Sequence, residues 1–133
     1  MDTYELPQCA QADLFERLES LTAEQLDVLA FGLIGFDLQG IVRRYNSLEA
    51  QLAGLSPQRV IGLPLFTAVA PCMNNLKVAG RFDAAAAREI VLDETLDYVF
   101  TLRMRPTRVR LRLLAAPRGS LRYVVVTRDD GTR

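Results

Sequence analysis

Cysteine and histidine set the first limits on the chemistry of this chain: it has two cysteines, Cys9 and Cys72, and no histidine. Cys9 lies in a polar leader, whereas Cys72 closes the apolar run LFTAVAPC. Thiolate is the nucleophilic form of cysteine. Without a histidine base, it must be favoured by a helix N-terminus or by backbone donors. The same absence removes any Cys-His or Ser-His dyad and the usual ligand of haem and catalytic zinc. A lone cysteine after an apolar run is more often a small buried hydrophobe. A thiol enzyme built on Cys72 is therefore a weak expectation; no catalytic residue and no metal ligand is assigned. A Cys9–Cys72 disulfide is disfavoured in a reducing compartment.

Charge limits the partners. Sixteen basic and sixteen acidic side chains cancel, so the global field expected of a nucleic-acid or membrane-surface binder is missing. Arg103 and Arg105, then Arg108, Arg110 and Arg112, recur with period two, and each set therefore shares one face of a strand. No aromatics interleave with them as a nucleic-acid platform would need. The expected role is a solvated face, partly covered by acidic N-terminal helices. No apolar run approaches the roughly 20 residues of a membrane span, and MDTYELPQ lacks the basic and apolar regions of a signal peptide. The expectation is a cytoplasmic protein, monomeric or weakly dimeric.

The elements that must position these residues can be read along the chain. At 133 residues, half of them apolar, one domain with one ordinary core is expected. Leu14, Phe15, Leu18 and Leu21 fall at helical spacing, and Thr22 with Gln25 forms a capping-box pattern ahead of Leu26. Residues 1–29 read as an N-terminal helical cap and 30–133 as the core domain. AFGLIGF, DLQG and IVRRY read as strand, turn and strand, with Gly40 supplying the turn's positive φ. Short helices follow between Asn46 and Pro71, with Ser56-Pro57 as a start and Gly54 and Gly62 as stops. Asn74 to Arg88, with its alanine run, predicts the one longer helix. Thr95 to Met104, the alternating stretch from Arg108 to Leu113, and LRYVVVTR predict three closing strands. Five antiparallel strands with helices on one face make an α+β domain, and this order of elements is that of the PAS fold.

The segment RRYNSLEAQLAGLSPQRVIG resembles the strand-to-helix region of PAS domains. DVLAFGLI resembles the first-strand region of the photoactive yellow protein family, LFTAVAPC the segment carrying that family's chromophore cysteine, and DYVFTLRMRPTRVRL its third and fourth strands. The resemblance spans about Leu26 to Arg128. It implies a blue-light photoreceptor with a p-coumaroyl (4-hydroxycinnamoyl) chromophore held as a thioester on Cys72. Acylation by an activated donor asks less of the thiol, because a good leaving group does part of the work. The resemblance also implies Tyr45 and Glu49 as hydrogen-bond donors to a buried phenolate, and a pocket of Ile34, Leu65, Val69, Ala70, Pro71, Tyr98, Phe100 and Met104. Burial raises a carboxyl pKa, which would keep Glu49 neutral and donating. Tyr45 ends a strand and Glu49 enters the next helical turn, so both can reach one oxygen. Light would isomerise the chromophore, Glu49 would give up its proton, and the cap would loosen toward an unidentified signalling protein.

Three positions depart from that family's pattern. Ala53 stands where a threonine usually supports the tyrosine, Leu55 where an arginine often shields the phenolate, and Leu102 replaces an aromatic. The alternative is a chromophore-free PAS module for dimerisation or small-ligand sensing. Flavin-adduct sensing is disfavoured because Cys72 follows Ala70-Pro71 rather than an asparagine.

Overall fold

The structure, a computed structural model, describes residues 6–101, 106–119 and 121–128. Two short helices, α1 (Leu14–Ser20) and α2 (Ala23–Leu26), open it. The Thr22 side chain accepts from the Gln25 N–H and the Gln25 side chain from the Thr22 N–H. The expected capping box therefore forms. Strands β1 (Gly32–Phe36) and β2 (Val42–Tyr45) make the expected hairpin, with Gly40 at φ +83°. Asp37 Oδ1 accepts from the N–H groups of Gln39 and Ile41 inside the turn. Helices α3 (Ser47–Ala53) and α4 (Pro57–Val60) follow, then a π-helical turn (Leu65–Val69) and a 3-10 turn (Pro71–Met73). Helix α5 (Ala79–Arg88) leads to β3 (Leu92–Phe100), β4 (Thr107–Ala115) and β5 (Arg122–Arg128).

The strands pair antiparallel in the order β2-β1-β5-β4-β3. Side chains of a strand alternate between faces, and here both faces are covered. Ile34, Phe36, Leu111, Leu113, Val124 and Val126 pack under the helices and turns that follow β2. Leu33, Leu114, Tyr123 and Val125 pack under Leu14, Leu18, Leu21, Leu26 and Leu29 of the cap. This is why all five residues of β1 are buried. The expectation of helices on one face holds for α3 to α5; the cap has the other face and a core of its own.

Three expectations shift. The long helix starts at Ala79 rather than Asn74, because Asn75 Oδ1 accepts from the N–H groups of Lys77 and Val78. That local turn competes with helix. The third strand begins at Leu92, earlier than Thr95, and its expected end at Met104 lies outside the described residues, as do Leu102, Arg103 and Arg105. The arginines divide by task. Arg108 and Arg110 are exposed. Arg112 pairs with Asp93 through two hydrogen bonds of 2.8 Å and donates to the carbonyls of Cys9 (3.0 Å) and Gln11 (2.7 Å). From β2, Arg44 donates to the carbonyls of Leu18 (2.7 Å) and Leu21. Two sheet arginines thus hold the cap by its backbone.

Candidate functional site

Tyr45 is the last residue of β2 and lies opposite Ile34. The next residue turns the chain into α3. Asn46 Oδ1 accepts from the N–H of Glu49 (3.2 Å), capping the helix, and from the N–H of Leu33 (2.9 Å). Asn46 Nδ2 donates to the carbonyls of Leu26 (3.0 Å) and Phe31 (2.9 Å). One buried amide thereby joins the cap, β1 and α3. It also puts Glu49 on the inward side of the first helical turn. Asn46 and Glu49 are the buried polar residues among those described, each 1% exposed.

The surroundings of Glu49 differ from those expected of a neutral donor. Its two carboxylate oxygens accept from the two terminal nitrogens of Arg128, at 2.8 and 3.1 Å. Arg128 is opposite Val109 in the ladder and shares the inner face with Val124 and Val126. Its guanidinium lies 5.8 Å from the centroid of the Phe100 ring. Gly32 gives the carboxylate its room, since a Cβ there would collide with Oε1 of Glu49. Tyr45 is buried, and burial pushes its phenol pKa well above the ordinary value. The charge of Glu49 adds to that rise and Arg128 opposes it.

Cys72 sits in the 3-10 turn, half-buried against the core that contains Tyr45, Ile34, Leu65, Val69, Ala70 and Phe100. Its carbonyl accepts from the Tyr98 hydroxyl (2.5 Å) and from Asn75 Nδ2 (3.2 Å), and Asn75 Nδ2 also donates to the Tyr98 oxygen (2.6 Å). This triangle pins the cysteine turn to β3. Cys9 packs against the cap core on the opposite face of the sheet, and both cysteines are free thiols. Of the expected pocket, Ile34, Leu65, Val69, Ala70 and Phe100 are buried, Tyr98 is half-buried and Pro71 is exposed. Met104 lies outside the described residues. Ala53 is buried, and Leu55 packs partly buried against the same core. Beside this core lies a half-open cleft of ≈ 820 Å³, bordered by Lys77, Tyr98, Val109 and Arg128 among others.

Arg128 and Gly32 were not foreseen. Alternation along LRYVVVTR puts Arg128 on the side of Val124 and Val126, so its inward direction was readable. Its partner, 79 residues earlier in the chain, was not.

This strand order, with short helices and one longer helix on one face of the sheet, defines a PAS domain, and residues 26–133 match the PAS fold family. The chain is 35% identical to photoactive yellow protein of Rhodothalassium salexigens over 93% of its own length and 98% of that protein. It is 36% identical to photoactive yellow protein of Halochromatium salexigens, over 78% of this chain and 82% of that one. The photoactive yellow protein domain of the sensor histidine kinase Ppr from Rhodospirillum centenum superimposes with a TM-score of 0.76 at 35% identity, covering 83% of this chain and 96% of that domain. The chain belongs to the photoactive yellow protein family: it is a photoreceptor-type PAS domain.

Proposed function

We propose that this chain is a blue-light photoreceptor that carries a p-coumaroyl group as a thioester on Cys72. One observation carries the reading: a half-buried thiol packs against the same core as the buried Tyr45 phenol, and the buried Glu49 carboxyl enters α3 four residues after that phenol. The donor set fits the group. Tyr45 offers a hydroxyl and Glu49 a carboxyl to a phenolic oxygen, and the apolar residues Ile34, Val69, Ala70 and Phe100 suit a conjugated ring. When bound, the group supplies light absorption and isomerisation about its double bond.

The chain's own residues do the rest. The Cys72 sulfur forms the bond to the acyl carbon as the donor's leaving group departs, and the carbonyl clamp from Tyr98 and Asn75 holds the turn in place. With the group bound, Tyr45 would donate to the phenolic oxygen, and Glu49 as the neutral acid would hold a proton within reach of that oxygen. A buried carboxylate that loses its partner costs several kcal/mol, and the partner here is Arg128, so a shift of that pair strains a domain held by only ~5–15 kcal/mol. The strain has a short route outward. The Glu49 N–H is held by Asn46, and Asn46 holds the Leu26 carbonyl of the cap. Loosening of the cap is the output, offered to a signalling partner in the cytoplasm.

The test is to add activated 4-hydroxycinnamic acid to the purified chain and record the visible spectrum with the intact mass. A product heavier by one hydroxycinnamoyl group, with a new near-ultraviolet or blue absorption band, is expected. A colourless chain of unchanged mass refutes the reading and leaves a chromophore-free PAS module.

A further inference from the structure

Arg128 carries a charge that this mechanism does not use. Its planar fork holds both oxygens of Glu49, and the pair is largely buried, with side-chain exposures of 14% for Arg128 and 2% for Glu49. Guanidinium stays protonated in proteins, and a bidentate guanidinium favours the ionised carboxylate. The Glu49 seen here is therefore the anion, whereas a donor to a phenolate must be the neutral acid. Both states belong to one site if the arginine can leave.

We propose that Arg128 is a switchable counter-ion that decides whether Glu49 or a bound phenol holds the one proton they share. The proposal rests on the chromophore reading above. Glu49 carboxylate with phenol, and Glu49 carboxyl with phenolate, have the same net charge and differ only in the position of that proton. With the fork on Glu49, the proton stays on the phenol. With the fork withdrawn, the phenolic O–H bond breaks, a new O–H bond forms on Glu49, and the electron pair remains on the phenolic oxygen. No proton is gained or lost overall.

The structure gives the fork somewhere to go. Arg128 is the last residue of β5 and borders the half-open cleft together with Tyr98, Val109 and Lys77. Its guanidinium already lies near the Phe100 face, where a cation is attracted even without its carboxylate. Gly32 leaves Glu49 its room against β1. Phenolate donates its lone pair into the conjugated acyl group more strongly than phenol does and so absorbs at longer wavelength. The colour of the loaded protein thus reports the position of Arg128: near-ultraviolet with the fork engaged, blue with it withdrawn.

Two measurements test this on the full chain. In the unloaded protein, infrared spectra at neutral pH should show no protonated-carboxyl band assignable to Glu49, whereas Arg128→Gln should show one that Glu49→Gln removes. In the loaded protein, Arg128→Gln should raise the phenolate-to-phenol band ratio about tenfold or more, the equivalent of one pKa unit. Arg128→Lys keeps the cation and the packed stem but not the fork, and should fall between. In a Glu49→Gln background, Arg128→Gln should leave the ratio unchanged. A protonated Glu49 in the unloaded wild-type chain, or equal band ratios in wild type and both Arg128 variants after a confirmed mass gain, overturns the proposal alone. No mass gain removes the chromophore reading and this proposal with it.

Discussion

Asn46→Ala should destabilise the domain strongly although it leaves every apolar contact in place. The side chain makes four buried hydrogen bonds, to the N–H groups of Leu33 and Glu49 and to the carbonyls of Leu26 and Phe31. Each is worth ~1 kcal/mol net, and a buried backbone group left without a partner costs ~1–3 kcal/mol. The loss should therefore come to about 4 kcal/mol, or about 2 if a water enters the space. Against a total of ~5–15 kcal/mol, this is large but survivable. With an m-value of about 2 kcal/mol/M in urea, the midpoint should fall by about 1–2 M with unchanged slope. Asn46→Ser can still cap α3 but cannot reach Leu26, and should recover about 1 kcal/mol. Native-state hydrogen exchange should show the Leu33 amide opening earliest in β1. A midpoint drop under about 0.5 M, with Leu33 still protected, would refute the account of this side chain as the joint of three elements.

Three other outcomes are expected. Cys72→Ala should abolish both the mass gain and the colour on loading, while Cys9→Ala keeps both; an adduct on the Cys72→Ala chain would assign the site elsewhere. Burial raises the phenol pKa of both Tyr45 and Tyr123 above the ordinary value. The unfolded chain therefore releases these protons first, and their contribution is complete below about pH 10 and falls as pH rises further, by about 1.4 kcal/mol per pH unit for each tyrosine. Tyr45→Phe should flatten that alkaline slope in urea titrations, and an unaltered slope would count against the burial assigned to it. Arg112→Ala removes the donors to the carbonyls of Cys9 and Gln11 and the partner of Asp93. Amides near Gln11 should then exchange at least about tenfold faster while those of β5 keep their protection, and uniform acceleration would contradict the local clamp.

The parts of the fold that local chemistry decides were legible in the chain. Thr22 with Gln25, Gly40 after Asp37, and Pro57 after Ser56 each set a boundary through contacts within a few residues, and each falls where the spacing puts it. Helix α5 starts five residues later than the helix propensity of Asn74 to Arg88 suggests, because the side chain of Asn75 turns the backbone before it can coil. Around the candidate site, Tyr45 and Cys72 share one core cluster and Glu49 is buried in the turn after Tyr45, yet the charge that faces Glu49 arrives from the far end of the chain. Strand pairing brings it there, and no local pattern encodes that pairing. The double coverage of the sheet was hidden for the same reason. The run from Tyr123 to Val126 is consistent with a strand buried on both sides, but which helices supply each side is a matter of topology.

The clamps from Arg44 and Arg112 have an evolutionary corollary. Both arginines grip main-chain carbonyls of the cap, and a carbonyl is the same whatever side chain its residue carries. The outward-facing residues of the cap, such as Glu16, Glu24 and Val28, are therefore free to drift without weakening these holds on the sheet. Selection can rewrite that surface while the sheet beneath it stays unchanged.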